Sequence, residues 1–312
     1  MSHLYLSVVE PTGNAKTVFP GLQPMAKKTS ISGALIKAAL FFAVCFPANG
    51  EIRAADSPRE LDIRVQANGF GNVSSHDISA LLQSAASEIW RYCPQTQLPG
   101  IDIYHRTDHP QTDLRRTPSG RIAIGLTAAD THWAQFAFQF GHEFCHTLAN
   151  YANDPGRLVR YPPQANFWLE ESLCETASLF TLRAMSRSWQ TVPPFASWRN
   201  YAPWPNAYAE QRLRRPEHQL PAGKPFSVWF QEHQAALRRN PTMRDWNTII
   251  ATQLLPLFET EPRGWQTITF LNRGLHTADD SLSKHFAKWH SQCPADLRPF
   301  VARLAAVFAV KP

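Results

Sequence analysis

The chain has 312 residues, 44% of them hydrophobic, which suits one enzyme-sized unit of two lobes with a sizeable buried core. Its formal charge is +6, and residues 1–50, with Lys16, Lys27, Lys28 and Lys37 against Glu10, hold half of that excess. The basic runs elsewhere, Arg115-Arg116, Arg212-Leu213-Arg214-Arg215 and Arg238-Arg239, are short and scattered, so no nucleic-acid-binding stripe is expected and solvated helix faces account for them.

In chain order, residues 1–24 read as a mis-started extension and residues 25–50 as a signal peptide. Met25-Ala26-Lys27-Lys28 precedes the mostly apolar stretch Ile31 to Phe46, and Ala48-Asn49-Gly50 offers the small residues that a signal peptidase reads. The alternative is an uncleaved anchor, but the apolar run is short and interrupted by Lys37. A lipoprotein signal at Cys45 is disfavoured by the bulk of Val44. Export from a bacterial cytoplasm, to the periplasm or the medium, is therefore expected, with no stable membrane span in the mature chain.

Leu61 to Val65 alternates as a strand, and residues 75–91 have the period of a helix with Ser or Asp capping candidates. Strands follow at Ile101 to Tyr104 and Arg121 to Leu126, then a helix from about His132 to Tyr151. Inside that helix lies Phe140-Gly141-His142-Glu143-Phe144-Cys145-His146. Residues four apart stack on one helix face, so His142 and His146 can offer ring nitrogens to one ion while Glu143 stands beside it, where a general base would be needed. A catalytic zinc takes three protein ligands and leaves a position open, so one more donor is required.

The connector that follows is rich in turn-formers, Asp154-Pro155-Gly156 and Tyr161-Pro162-Pro163, and reads as a surface loop. A second helix is expected over residues 167–180. It contains Trp168-Leu169-Glu170-Glu171-Ser172-Leu173-Cys174-Glu175. Later helices are expected near 226–239, 243–259, 263–274, 279–291 and 296–309, carrying Trp229, Trp246, Trp265 and Trp289 into a second packed region. The organisation expected is residues 51–190 as the N-terminal subdomain with both metal helices and residues 191–312 as a helical C-terminal one, with the metal in the cleft between.

With its HExxH segment and downstream glutamates, the chain resembles the gluzincin metallopeptidases. The leukotriene-hydrolase-type aminopeptidases of that group carry a segment of the form W-L-N-E-G-F-A-E, which residues 168–175 match at Trp168, Leu169, Glu171 and Glu175. The resemblance implies an α+β, zincin-like catalytic domain with a small mixed sheet, one Zn2+ held by His142, His146 and Glu171, and Glu175 behind a ligand histidine. Three departures stand out: Glu170 replaces the family's Asn, Ser172-Leu173 replaces Gly-Phe, and the connector is long. The aminopeptidase G-x-M-E-N signature is not found, so the resemblance supports the clan and leaves the family open. Glu170 competes for the third-ligand role, although Glu171 and Glu175 share a stripe from which Glu170 is turned away. The alternative for the whole segment is an amphipathic helix with solvated acids.

The resemblance also implies that the strand before the HExxH helix forms the sheet edge along which an extended peptide lies; a plain core strand is the alternative. The activity implied is peptide hydrolysis, with Glu143 as the base. The oxyanion donor is a Tyr or His, for which Tyr161, Tyr201, Tyr208, His218 and His233 are candidates and Tyr208 is preferred. An exported zinc-binding scaffold without turnover, or a non-peptide amide or ester hydrolase, remains open. In an oxidising compartment the remaining cysteines would pair as Cys145–Cys174 and Cys93–Cys293, against the alternative of four buried thiols. No direct Cys–zinc bond is expected.

Overall fold

The computed structural model describes residues 60–113, 115–150, 164–274 and 276–312. The signal segment, Cys45, the Asp154-Pro155-Gly156 turn and Tyr161 lie outside these residues. Leu61–Pro312 cluster as one compact unit, so the regions expected as 51–190 and 191–312 share a core.

The class is α+β. Strands β1 (Ile63–Val65), β2 (Ile101–His105), β3 (Gln111–Asp113) and β4 (Ile122–Leu126) form one mixed sheet in the order β1-β2-β4-β3. The first three in that order run parallel, and β3 closes the edge antiparallel to β4, with Thr112 opposite Ile124. The strand before the HExxH helix is therefore an inner strand, correcting its expected place at the edge. The edge is β3, whose three residues are too few to show an alternating pattern. Arg121, at the head of β4, ties the parallel strands together by ion pairs to Asp62 and Asp102 and by donating to the carbonyls of Asp62 and Ile101 at 2.8 and 2.9 Å.

Helix α1 (Ser75–Trp90) makes the crossover from β1 to β2, and Ser74 caps it by accepting from the Asp77 N–H at 3.0 Å. Helix α2 (Trp133–Asn150) follows β4 almost at once. The Gln139 side chain pins that junction, accepting the N–H groups of Thr127 and Ala128 at 3.0 Å each and donating to the Thr127 hydroxyl at 2.7 Å. Helix α3 (Phe167–Ser188) runs longer than the expected 167–180 and is buried along nearly all its length. One face lies on α2 and another on α6 (Arg244–Thr260). Close approach of α2 and α3 is possible because residue 141 is glycine: a Cβ there would stand 3.2 Å from the Ser178 Cα. The Ser178 hydroxyl then reaches across to the Phe138 carbonyl at 2.8 Å.

The rest is helical: α4 (Pro203–Leu213), α5 (Phe226–Arg239), α7 (Leu282–Gln292) and α8 (Arg298–Val307). The helix expected at 263–274 is instead a 3₁₀ segment, Pro262–Phe270. Thr267 and Thr269 each donate to the carbonyl three residues back, which favours the tighter winding, and Gly264 sits flush against the Phe300 ring. Among the described residues no helix is long and apolar enough to cross a membrane.

Candidate metal centre

His142 and His146 stack one turn apart on α2, their ring centroids 5.0 Å apart. From α3, the Glu171 carboxylate reaches between them, Oε2 at 3.3 Å from the His142 Nε2 and Oε1 at 3.5 Å from the His146 Nε2. The three side chains that spacing and resemblance single out thus meet at one place.

Behind the rings, the two Nδ1 atoms face two different carboxylates. The His146 Nδ1 lies 2.7 Å from the Glu170 Oε1, in hydrogen-bond contact, so Glu170 meets the ring at Nδ1 while Glu171 faces Nε2. Glu170 is held in turn by the Asn150 Nδ2 at 2.9 Å and the Asn272 Nδ2 at 2.7 Å. The His142 Nδ1 faces the Glu175 Oε2 at 3.8 Å. Glu175 is shared with Arg212 at 3.3 Å, Arg244 at 3.4 Å and the Thr248 hydroxyl at 3.0 Å. Arg212 also stacks on the Phe138 ring.

Glu143 is anchored on one side only. Its Oε2 accepts from the Thr112 hydroxyl at 2.9 Å, which ties it to the edge strand β3. Its Oε1 and both ring nitrogens of His142 are buried without a hydrogen-bond partner among the described residues. Polar atoms in that state cost free energy unless something binds them.

The charge balance points the same way. Glu143, Glu170, Glu171 and Glu175 are 2%, 4%, 3% and 1% exposed, so the acids expected on a solvated face in the amphipathic alternative are inside the protein. Buried carboxylates need countercharge. Arginines supply it to Glu175: burial alone would raise its pKa, but Arg212, His142 and Arg244 hold it well below the carboxylate range. Glu171 is lowered too, against burial, by the His146 and His142 imidazoles. For His146 burial works downward, yet the Glu171 charge and the Glu170 hydrogen bond prevail and raise it to about 10. Two imidazoles and one carboxylate facing each other, with compensating charge in demand, fit a divalent ion such as zinc.

Cys174 lies close as well, its Sγ and one donor atom each of His142 and His146 falling within 4.8 Å of one another. Two donor sets therefore share the histidines: Cys174 in one, and in the other the Glu171 carboxylate, whose Oε2 and Oε1 lie 3.3 and 3.5 Å from the His142 and His146 Nε2 atoms. Burial first, then the Cys145 contact and the neighbouring carboxylates, push the Cys174 thiol far up. Cys93, Cys145, Cys174 and Cys293 are all buried thiols; the bridges expected between them are not formed.

Tyr208, on α4, meets the Phe138 ring edge-on at 5.9 Å. Arg212, one turn along, ties α4 to Glu175. Tyr201 accepts from the Ala134 N–H at 3.3 Å, serving the start of α2. His218 contacts the Arg212 carbonyl and Asp245, and His233 stacks on Trp229. Motif reading missed Thr112, Asn150, Asn272, Arg212, Arg244 and Thr248. Asn150, four residues after His146, was within reach of a helical-spacing argument.

Comparison of the chain with protein-family models, with curated proteins and with solved structures finds no match.

Proposed function

We propose that this protein is an exported zinc-dependent hydrolase with a zincin-like core, cleaving peptide bonds with Glu143 as its base. The observation that carries the reading is the meeting of both Nε2 atoms with the single Glu171 carboxylate, next to a Glu143 oxygen that is buried and unpartnered. Zinc held by His142, His146 and Glu171 would supply Lewis acidity, polarising the scissile carbonyl and acidifying water.

The chain's own side chains do the rest. Thr112 fixes the Glu143 Oε2, leaving Oε1 to take a proton from the attacking water. As the C–N bond breaks, the same carboxyl hands that proton to the departing amine, so water adds across the bond and Glu143 returns to its starting state. The open edge of β3, joined to Glu143 through Thr112, is where an extended peptide would pair by its main chain; this replaces the role first expected for β4. Export rests on the residue pattern of 25–50. The unpartnered Glu143 oxygen favours turnover over a scaffold, since a structural site closes its coordination and has no use for a free base.

The test compares wild type with Glu143→Gln for zinc content and for cleavage of a mixed peptide library. One zinc in both, with cleavage lost in the variant by at least a hundredfold, is the expected result. Equal cleavage would remove Glu143 from the mechanism, and zinc binding without any cleavage by wild type would establish the scaffold.

A further inference from the structure

Two asparagines far apart in sequence close a polar ring behind His146. The Asn150 Nδ2 donates to the His146 carbonyl at 2.8 Å and to the Glu170 Oε1 at 2.9 Å. The Asn272 Nδ2 donates to the Glu170 Oε2 at 2.7 Å and to the Asn150 Oδ1 at 3.0 Å. Each amide nitrogen has two hydrogens and each is spent, so neither amide can turn over without setting an oxygen against the carboxylate. All four residues of the ring are buried.

The consequence falls on one atom. Glu170 Oε1 takes the His146 Nδ1 at 2.7 Å, which places the proton on Nδ1 and leaves the Nε2 lone pair for a metal. Besides His146, Glu170 accepts hydrogen bonds from the two neutral amides of Asn150 and Asn272. Glu175, behind His142, divides its charge between Arg212 and Arg244 and stands off at 3.8 Å. The two histidines are thus unequally supported. Asn272 follows the 3₁₀ segment Pro262–Phe270, so this support comes from the C-terminal half of the chain.

We propose that Asn272 is a positioning residue for the metal centre, acting with Asn150 through Glu170 to fix the tautomer and orientation of His146. This rests on the zinc-hydrolase reading above. Its removal loosens the metal without touching a ligand, by about tenfold or more in zinc dissociation constant, the range for partners that orient ligands.

The experiment measures zinc affinity by competition with a chromogenic chelator, and the visible spectrum of the Co2+-loaded protein, in full-length wild type, Asn272→Leu, Glu170→Gln and the double variant. Expected are weaker binding and an altered Co2+ spectrum in each single variant, with Asn272→Leu adding nothing further once Glu170 is Gln. Asn272→Ser, which leaves room for a water, serves if the Leu variant does not fold. Wild-type affinity and spectrum in a folded Asn272 variant, or additive losses in the double variant, would overturn the proposal while leaving the metal site standing. A wild type that binds neither ion would overturn the zinc reading itself.

Discussion

Glu171 and Cys174 are the residues on which the choice of donor set turns, since both stand on the α3 face toward His142 and His146. The Glu171 carboxylate faces both Nε2 atoms, which leads to a definite expectation: Glu171→Gln loses stoichiometric zinc, while Cys174→Ser retains one ion, both read by metal analysis after gel filtration. The reverse pattern would move the ligand assignment to the thiol. Glu175 has a different role, as the counterion of two arginines. Removing its charge by Glu175→Gln strands Arg212 and Arg244, which should cost about 3 kcal/mol in urea denaturation. A loss under about 1 kcal/mol would show that the arginines find other partners. His142, His146, Glu143 and Glu171 were legible because helical geometry relates residues four apart and the Trp168-Leu169-Glu170-Glu171 segment has a recognisable form. Thr112, Asn272, Arg212 and Arg244 were not, because they arrive from other elements with no fixed spacing to the motif.

Helix α2 and helix α3 must lie close for their side chains to share an ion, and Gly141 sets that distance. Gly141→Val would force its bulk against Ser178 and separate the helices, so zinc content should fall well below one per chain while far-ultraviolet circular dichroism stays helical. Full stoichiometry would show that the contact yields. The start of α3 is held from the other side: Asn166 Nδ2 donates to the Asp280 carbonyl at 2.9 Å. The Asp280 carboxyl is itself buried, and although burial works to raise its pKa, hydrogen bonds from Lys288, Lys284 and Thr277 bring it well down. A depressed folded-state pKa gives stability that is complete above about pH 4 and is lost as the pH falls from there. The Tm gap between wild type and Asp280→Asn should accordingly be constant at neutral pH and shrink below pH 4; a gap that widens in acid would contradict this. The long elements were legible from period, whereas β3 is too short to alternate. Helix α4 was hidden by Pro203 and Pro205, which read as loop but stand in its first turn, where proline is tolerated.

Across the whole molecule, Asn272 from the C-terminal half and Arg244 from α6 reach the same cluster as the HExxH helix, so a metal bound there would be linked to the folding of Leu61–Pro312. Zinc at a hundred times its dissociation constant should stabilise the folded chain by about 2.7 kcal/mol, seen as a Tm that drops on chelation and recovers with zinc. The centre's position within a single core was not legible, because reading by period alone separates a sheet-bearing half from a helical one. The most direct measurement is zinc K-edge X-ray absorption on the purified full-length protein. The account predicts one zinc per chain with a shell of nitrogen and oxygen neighbours near 2.0–2.1 Å, and with no sulfur. A zinc–sulfur distance near 2.3 Å, or a protein that retains no zinc, would contradict it.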